Sequence, residues 1–300
     1  AINSVLFQTY PYFELIIIDD GSSDSSIQVV ENINDSRIKL FKQSNSGVSA
    51  ARNKGIEIAK YELIAFLDAD DWWGENYLKS MLELSLKYPE VSIYGSHYAI
   101  VQNKKINPSI SFFNDSIKDI SFDLLDLVVK NKNFMLPLHS SSFIIRKAIL
   151  EKTSGFDSRI KYFEDYDLFL RISLFSKVAY LNTSPLSFYV QDVPDNNRAT
   201  GRLPSINDHM VYYLDKFIPL YNKNKNLKIY IDKFKLWSLL NYRNNILLKD
   251  EVNRIRRDVN IKNYSWKYII LYNTPTILAS FLIKINIRFF RNNNNNNDTV

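Results

Sequence analysis

The sequence lacks cysteine, has few histidines and contains no long hydrophobic run. With no cysteine in 300 residues, disulfides and thiolate metal sites are excluded, and a reducing compartment such as the cytoplasm fits. The three histidines, His97, His139 and His209, have no metal-ligand spacing, which argues against a zinc enzyme. The longest clean apolar run near the C-terminus is far shorter than a membrane span requires. No signal peptide is visible, so we expect a cytoplasmic location.

Charge is distributed unevenly along a chain of globular composition. Hydrophobic residues make up 46% of the chain and charged residues 23%, which suits one large domain and an appendage. Residues 1–200 hold 21 basic and 25 acidic side chains, whereas residues 201–300 hold 17 basic and 7 acidic ones. We therefore predict a domain over 1–200, a helical basic region over 201–291 and a disordered, asparagine-rich tail over 292–300.

The basic region suits an anionic surface. Between residues 260 and 291 aromatic side chains are interleaved with basic ones, which fits a helix lying in a membrane interface. A helical subdomain that packs on the core explains the same pattern equally well. Nucleic acid is not expected as a partner, because no recognised reader motif accompanies the charge. Peripheral contact with the inner face of the cytoplasmic membrane through 260–291 is thus one of two structures that the pattern predicts.

Apolar runs alternate with amphipathic segments through the first 200 residues, and a polar, irregular loop is expected over 102–120. The predicted strands are Leu15–Ile18, Ile38–Phe41, Leu63–Leu67, Val91–Val101, Ser142–Ile145, Val178–Leu181 and Leu186–Val190. Helices are predicted from Ile2 towards Tyr10, around Ile27–Val30, and over Val48–Lys60, Glu75–Tyr88, Phe122–Val129 and Glu164–Phe175. Strands that alternate with helices indicate an α/β fold with a parallel sheet.

Three carboxylates follow the third predicted strand, in Asp68-Ala69-Asp70-Asp71. Alternation along a strand would place Asp68 and Asp70 on one side, with Asp71 turned away. The carboxyl ends of strands in open α/β sheets border the ligand crevice. Like charges this close repel, so a bound cation or hydrogen-bond donors are expected. A solvated acidic turn that caps the next helix is the alternative explanation.

Three further polar motifs follow predicted strands or open helices. They are Asp19-Asp20-Gly21-Ser22, Gly47-Val48-Ser49-Ala50-Ala51-Arg52-Asn53 and Glu164-Asp165. Taken singly, each has a plain structural explanation: a capped turn, a surface arginine on a helix, and an acidic first helical turn stabilised by the helix dipole. Asn53 is expected to be a polar packing residue.

The four motifs in this order resemble the family 2 glycosyltransferases over roughly residues 1–200. The resemblance implies an α/β fold of the GT-A type, with a mostly parallel sheet flanked by helices and followed here by a helical C-terminal region. It also implies an inverting enzyme that uses a nucleotide-sugar. The family opens with a strand and a turn that contacts the nucleotide base. Since this chain starts after that point, we expect the first strand and part of the donor site to be missing from it.

The resemblance implies a donor side. Asp20, with Asp19, would contact the nucleotide base, for which an acceptor-only carboxylate suits the imide of uracil. Arg52 would meet a phosphate. Asp68 would contact the ribose or a metal, and Asp70 would bind Mg²⁺ or Mn²⁺ held on the diphosphate of a UDP-sugar.

The resemblance also implies an acceptor side. Asp165, with Glu164, is the expected catalytic pair, and Asp165 would act as general base for a hydroxyl of a glycan or lipid-linked glycan. The helix dipole is expected to keep Asp165 ionised at neutral pH. Many family members carry a metal-reaching histidine where this chain has Asp192, so Asp192 is a candidate third metal ligand. His139 is a candidate near the acceptor, although a structural histidine explains it as well.

Two other function classes share part of the pattern. An aspartyl-nucleophile phosphatase also carries an Asp-x-Asp after a buried strand, but that class leaves the Asp19-Asp20 and Glu164-Asp165 motifs unexplained. A non-catalytic module that binds nucleotide-sugars or glycans would not require the carboxylates that three of the four motifs carry. The sequence therefore favours a metal-dependent glycosyltransferase, with cell-surface polysaccharide or lipopolysaccharide synthesis as the expected process.

Overall fold

The computed structural model describes residues 1–109, 111–130, 136–192, 203–242 and 245–260. The chain divides into two compact units, Ala1–Met210 and Val211–Val300. The helices are α1 (Ile2–Leu6), α2 (Ser26–Glu31), α3 (Val48–Ile58), α4 (Tyr77–Lys87), α5 (Leu124–Lys130), α6 (Lys147–Lys152), α7 (Glu164–Ser173), α8 (Lys225–Tyr242) and α9 (Lys249–Arg256). The strands are β1 (Leu15–Asp19), β2 (Ile38–Lys42), β3 (Leu63–Ala65), β4 (Trp72–Trp73), β5 (Ile93–Ser96), β6 (Tyr98–Gln102), β7 (Lys105–Pro108), β8 (Asp119–Phe122), β9 (Phe143–Arg146), β10 (Val178–Leu181) and β11 (Ser187–Val190).

The described strands of the first unit form three sheets. Their orders are β1-β2, β3-β9-β5-β10-β8 and β4-β11-β6-β7. The pairs β1-β2, β5-β10 and β6-β11 are parallel, whereas the other five pairs are antiparallel. The α/β class is as predicted, but the sheets are mixed rather than mostly parallel.

The segment predicted as one strand over Val91–Val101 is divided between two sheets. β5 ends at Ser96, whose N–H donates to Ser142 O at 2.9 Å, and His97 donates to Leu181 O at 3.0 Å. The chain then continues as β6 in the small sheet. The loop expected over 102–120 contains β7 and the start of β8. Periodicity predicts that a segment is extended but does not predict which sheet it joins.

The core of the first unit lies between α4 and the five-stranded sheet. Tyr77 and Met81 on α4 are fully buried, as are Tyr94 on β5 and Ala179 on β10, and all four belong to one apolar cluster. Trp73 joins this cluster at 5% exposure. Burying large aromatic side chains here is the main stabilising contribution of the fold.

The edges of two separate sheets border a cleft of about 1250 Å³. Residues of β1 and β3 line it, together with Asp19, Arg52 and Asp68. β1 pairs only with β2, and β3 only with β9, among the described strands. Three donor-side candidates therefore lie along the walls of one cavity.

The second unit is helical in its described part. Besides α8 and α9 it contains most of the 3-10 helix Met210–Leu220 and the 3-10 helix Ile246–Leu248. A fully buried Lys235 pairs with Asp215 at 3.0 Å and Asp258 at 2.8 Å. No helix in the described ranges combines the length and apolar character needed to cross a membrane. The predicted membrane segment beyond residue 260 and the asparagine run lie outside the described residues.

Candidate active site

The acidic motif after β3 is a tight turn rather than an extension of the strand. β3 ends at Ala65, and the Asp71 N–H donates to Asp68 O at 3.1 Å. Asp71 is fully buried, whereas Asp70 is exposed. The predicted sidedness of these carboxylates is therefore wrong, because strand alternation does not continue through a turn.

A serine-rich loop, residues His139–Ser142, holds the acidic turn from the opposite side. The Ser140 hydroxyl donates to Asp68 Oδ2 at 2.7 Å, and the Ser141 hydroxyl donates to Asp71 Oδ2 at 2.5 Å. Ser141 Oγ also accepts the Asp68 N–H at 3.1 Å. We call this segment the serine loop. Sequence reasoning missed it, and the run of three serines before β9 is the only sequence signal that could have indicated it.

The buried Asp71 carboxylate has a structural role. Its second oxygen accepts the Val190 N–H at 3.0 Å, which ties the turn to β11. Burial raises the pKa of Asp71 to about 7, despite these hydrogen bonds. A buried acid whose polar atoms are all satisfied fixes the backbone that carries Asp68 and Asp70.

Arg52 joins the acidic turn to the start of α7. One arm of its guanidinium donates to Asp68 Oδ1 at 2.7 Å and the other to Glu164 Oε1 at 2.8 Å. The side chains of Arg52 and Glu164 are only 11% and 12% exposed. Burial alone would lower the pKa of Arg52, but the two carboxylate charges outweigh it and raise the pKa. Its expected phosphate contact stays a prediction, since both arms bind carboxylates here.

The acidic pair that opens α7 is half-buried. Phe163 enters the helix with a left-handed φ of 65°. Burial and the neighbouring charge of Glu164 raise the pKa of Asp165 to about 7, and burial also raises the pKa of Glu164 despite its ion pair with Arg52. The expectation that the helix dipole keeps Asp165 fully ionised at neutral pH is therefore wrong, because desolvation of the carboxylate exceeds the effect of the dipole.

Asp20 fastens the loop that precedes α3. Its carboxylate accepts hydrogen bonds of 2.8 Å each from Gln43 Nε2 and from the N–H groups of Ser46 and Gly47. Gly47 has a φ of 88°, which favours glycine at this position. Asp19 accepts the Ser22 N–H at 3.3 Å. The nucleotide role predicted for these carboxylates stays untested, and three of the acceptor positions of Asp20 are used within the chain.

The described side chains supply only part of the coordination shell that a divalent cation needs. Both oxygens of Asp68 bind Arg52 and Ser140, while Asp70 makes no hydrogen bond or ion pair with the described residues. Asp192 accepts the backbone N–H of Asn103. The described part of the chain contains no group of three acidic or histidine side chains placed to hold a metal. An exposed, unpaired Asp70 fits a hard cation that draws its other ligands from phosphate and water.

Comparison with known proteins identifies a family. Residues 1–153 match the sequence profile described as Glycosyl transferase family 2. An uncharacterised glycosyltransferase of Haemophilus influenzae is 34% identical over 178 residues, which cover 57% of this chain and 64% of that protein. The Escherichia coli UDP-Glc:alpha-D-GlcNAc-diphosphoundecaprenol beta-1,3-glucosyltransferase WfgD is 33% identical over 160 residues, which cover 50% of this chain and 63% of WfgD. The chain thus matches just under two thirds of each relative's length.

Solved structures show the same fold. S. aureus TarS 1–349 in complex with UDP-GlcNAc superposes with a TM-score of 0.68 at 16% identity, covering 89% of this chain and 77% of that chain. At this identity the likeness concerns the fold alone, and it confirms the expected GT-A type. Because the family profile matches half of the sequence and includes the first three polar motifs, the chain belongs to glycosyl transferase family 2.

Proposed function

We propose that this protein transfers a sugar from a nucleoside-diphosphate donor to a hydroxyl acceptor, with inversion at the anomeric carbon. The proposal rests on two carboxylates of the first unit whose surroundings differ. Asp70 is exposed and unpaired within the described residues, while the pKa of Asp165 is raised to about 7. Arg52 links the two sides through Asp68 and Glu164. A carboxylate with a pKa near neutrality suits general base catalysis. An exposed, ionised carboxylate suits a metal ion that stabilises the leaving diphosphate.

Asp165 is the proposed general base. Its carboxylate takes the proton from the acceptor hydroxyl while the hydroxyl oxygen attacks the anomeric carbon of the donor. The bond between that carbon and the diphosphate oxygen breaks, and the nucleoside diphosphate leaves with the bonding electrons. A single displacement inverts the configuration. A base whose pKa lies near the working pH is well matched to this proton transfer.

Asp70 is the proposed protein ligand of Mg²⁺ or Mn²⁺, with diphosphate oxygens as the other ligands. When bound, the cation neutralises the charge that develops on the leaving diphosphate. Asp68 and Glu164 hold Arg52 beside this position. Asp19 lines the cleft between β1 and β3, and Asp20 fastens the loop before α3. A UDP-sugar is the favoured donor, because the similar protein WfgD is a UDP-Glc-dependent glucosyltransferase and TarS was solved with UDP-GlcNAc.

A glycan or a lipid-linked glycan is the proposed acceptor, as in cell-surface polysaccharide or lipopolysaccharide synthesis. Support comes from the name of WfgD, which includes a diphosphoundecaprenol-linked GlcNAc. A lipid-linked acceptor would also explain a basic, aromatic segment at 260–291 that contacts the inner face of the cytoplasmic membrane. The phosphatase alternative is not favoured, because it leaves the Asp19-Asp20 and Glu164-Asp165 motifs without a role.

The decisive experiment measures UDP release from UDP-Glc and UDP-GlcNAc, with a synthetic GlcNAc-diphospho-lipid as acceptor. Asp165→Asn preserves shape and removes basicity, so we expect transfer to fall by roughly 10²–10⁴ while UDP affinity stays unchanged. Asp115→Asn, an exposed acid elsewhere in the first unit, is the matched control and should transfer normally. Unimpaired transfer by Asp165→Asn would place the base elsewhere, and UDP-sugar binding without turnover in the wild type would indicate a binding module.

A second arm tests the cation. UDP affinity should be higher with Mn²⁺ than with EDTA, and Asp70→Ala should lose this difference, because the ion would then be held by phosphate and water alone. Equal affinity with Mn²⁺ and with EDTA in the wild type would contradict metal dependence.

A further inference from the structure

Three aromatic side chains form a wall next to the acidic turn. His139, the first residue of the serine loop, lies between Tyr98 of β6 and Tyr189 of β11. The ring centroids of His139 and Tyr189 are 4.2 Å apart, and those of His139 and Tyr98 are 5.2 Å apart. We call Tyr98, His139 and Tyr189 the aromatic wall. Its position follows from the parallel pairing of β6 and β11 in the small sheet.

The aromatic wall lies beside the reacting carboxylates. Ser140, which follows His139, donates to Asp68, and Asp68 is linked to Glu164 through Arg52. Burial raises the pKa of Tyr98, and the charge of Asp165 contributes to the same shift. Tyr98 is therefore within electrostatic range of the proposed base.

The wall presents uncharged hydrogen-bonding groups. The Ser141 N–H donates to His139 Nδ1 at 3.3 Å, so the neutral ring carries its proton on Nε2. Burial lowers the pKa of His139 to about 4, which keeps the ring neutral at physiological pH. Neither His139 Nε2 nor the Tyr98 hydroxyl makes a hydrogen bond to a described residue, and the His139 side chain is 18% exposed.

We propose that the aromatic wall binds an uncharged sugar ring of the acceptor, with His139 Nε2 and the Tyr98 hydroxyl hydrogen-bonded to its hydroxyl groups. The inference rests on the proposed function and adds the side chains that would hold the acceptor. Aromatic side chains with a few well-placed polar groups are typical of small-molecule sites, and a sugar has both an apolar C–H face and hydroxyl groups. A phosphate or carboxylate does not fit, because the cation described near this wall, Arg52, has both arms bound to carboxylates.

The position of the wall gives the sugar ring a role in specificity. A ring held by Tyr98 and His139 would offer one of its hydroxyl groups to Asp165. A substrate that lacks the matching hydroxyl leaves such polar groups without a hydrogen-bond partner. A site of this kind therefore discriminates strongly against that substrate. We therefore infer that these two side chains select which acceptor hydroxyl reacts.

The test uses the 300-residue chain saturated with UDP and Mn²⁺, with methyl β-D-glucoside and methyl N-acetyl-β-D-glucosaminide as probes. Binding is followed by saturation-transfer NMR, and glycerol 3-phosphate serves as a charged comparison. Tyr98→Phe removes one hydroxyl and leaves every described hydrogen bond intact. His139→Phe keeps a ring but removes Nε2–H together with the Nδ1 acceptor of the Ser141 N–H. Tyr61→Phe, at a tyrosine that is 58% exposed, is the matched control.

Saturable binding of at least one glycoside is expected, and glycerol 3-phosphate should not compete. Tyr98→Phe and His139→Phe should each weaken glycoside binding by about 3–10-fold, the scale of one lost hydrogen bond, while Tyr61→Phe leaves it unchanged. UDP affinity, measured by calorimetry, should be the same in all four proteins. Reduced UDP affinity in both wall variants, or a thermal melt that shows Tyr98→Phe unfolded, would assign the wall a structural role and overturn the inference.

Two results separate this inference from the proposed function. Wild-type protein that binds glycosides through the wall but turns over no UDP-sugar would refute sugar transfer and support the sugar subsite. Protein that transfers sugar but shows no saturable glycoside binding, or binds glycosides equally in both wall variants, would overturn the subsite and leave the transfer intact.

Discussion

Arg52 is the residue on which both sides of the site depend. Replacing Arg52 by Met leaves Asp68 and Glu164 as half-buried carboxylates without a counter-ion. Removing one partner of a buried ion pair typically destabilises by 3–5 kcal/mol, and because the side chain of Asp68 is 34% exposed we expect a loss of about 3 kcal/mol. Urea unfolding monitored by tryptophan fluorescence would show the loss as a lower midpoint concentration.

The matched control is Arg159→Met. Arg159 pairs with Asp157 at 2.8 Å but is 63% exposed, so its replacement should change stability by less than about 1 kcal/mol. The double variant Arg52→Met/Glu164→Gln should lose less unfolding free energy than the sum of the losses in the two single variants. The reason is that Glu164→Gln removes one of the carboxylates that Arg52→Met leaves without a counter-ion. A change for Arg52→Met no larger than that for Arg159→Met would show that the bridge carries no stability.

The pH dependence of transfer follows from Asp165. Because the pKa of this carboxyl is raised to about 7, the protonated, inactive form prevails below neutral pH and the base form above it. We expect kcat/KM to rise with pH through about 7. The groups that face Asp165 and set this value are Glu164, Arg52 and Asp68, together with the Tyr166 N–H, which donates to Asp165 at 2.9 Å.

A Glu164→Gln variant provides the check on that explanation. It removes the neighbouring negative charge, so the pKa of Asp165 should fall and the rise in kcat/KM should move to lower pH. The profile is measured between pH 5.5 and 8.5 at saturating metal, a range of about three units around the expected midpoint. A flat wild-type profile, or a midpoint that Glu164→Gln moves upward, would be inconsistent with Asp165 as the base.

At the scale of elements, α3 is joined to the turn before α7 through Asn53. Its Nδ2 donates to Phe156 O and its Oδ1 accepts the Phe156 N–H, each at 2.8 Å. Gly155 beside it has a φ of 60°, and a Cβ there would lie 2.4 Å from Asn53 Oδ1. Glycine is thus required at this turn, and the paired hydrogen bonds keep Arg52 of α3 in reach of Glu164.

Asn53→Ala should destabilise the protein by about 1–3 kcal/mol, because it leaves two backbone groups of a half-buried turn without partners. Thermal unfolding followed by circular dichroism measures the loss. Lys54→Ala on the same helix is the control, since its pair with Glu57 is exposed and should contribute less than about 0.5 kcal/mol. Equal melting temperatures for the two variants would show that α3 is fixed by packing alone.

The sequence predicted elements better than it predicted contacts between them. The bounds of α3, α7 and β10 agree with the apolar periodicity within a few residues, because periodicity is a local property. The serine loop was not predicted. Its bonds to Asp68 and Asp71 span 72 and 70 residues, and no local pattern encodes a partner that distant. The prediction of the sides on which Asp70 and Asp71 lie failed for a related reason. Both residues belong to a turn, and a turn has no periodicity from which exposure can be predicted.

At the scale of the whole molecule, charge separates the two parts of the chain. Residues 201–300 carry 17 basic and 7 acidic side chains, and the segment beyond residue 260, whose structure is not described, combines basic residues with Trp, Tyr and Phe. Anionic lipid attracts such a segment by about 1 kcal/mol per basic residue near the surface. Aromatic residues add insertion at the interface. If the acceptor is lipid-linked, as proposed above, attraction of this kind would concentrate the protein at its acceptor.

We predict that the full chain co-sediments with phosphatidylglycerol vesicles and not with phosphatidylcholine vesicles, and that raising the salt concentration weakens the binding. Replacing Lys267, Lys284 and Arg288 together by Gln should weaken binding at least about tenfold, given the contribution expected of each charge. The control replaces three exposed lysines of the first unit by Gln, namely Lys60, Lys79 and Lys104. If both triple variants bind equally well, or if salt has no effect, the charged segment does not carry membrane attachment, and packing of this region on protein becomes the better explanation of its aromatic residues.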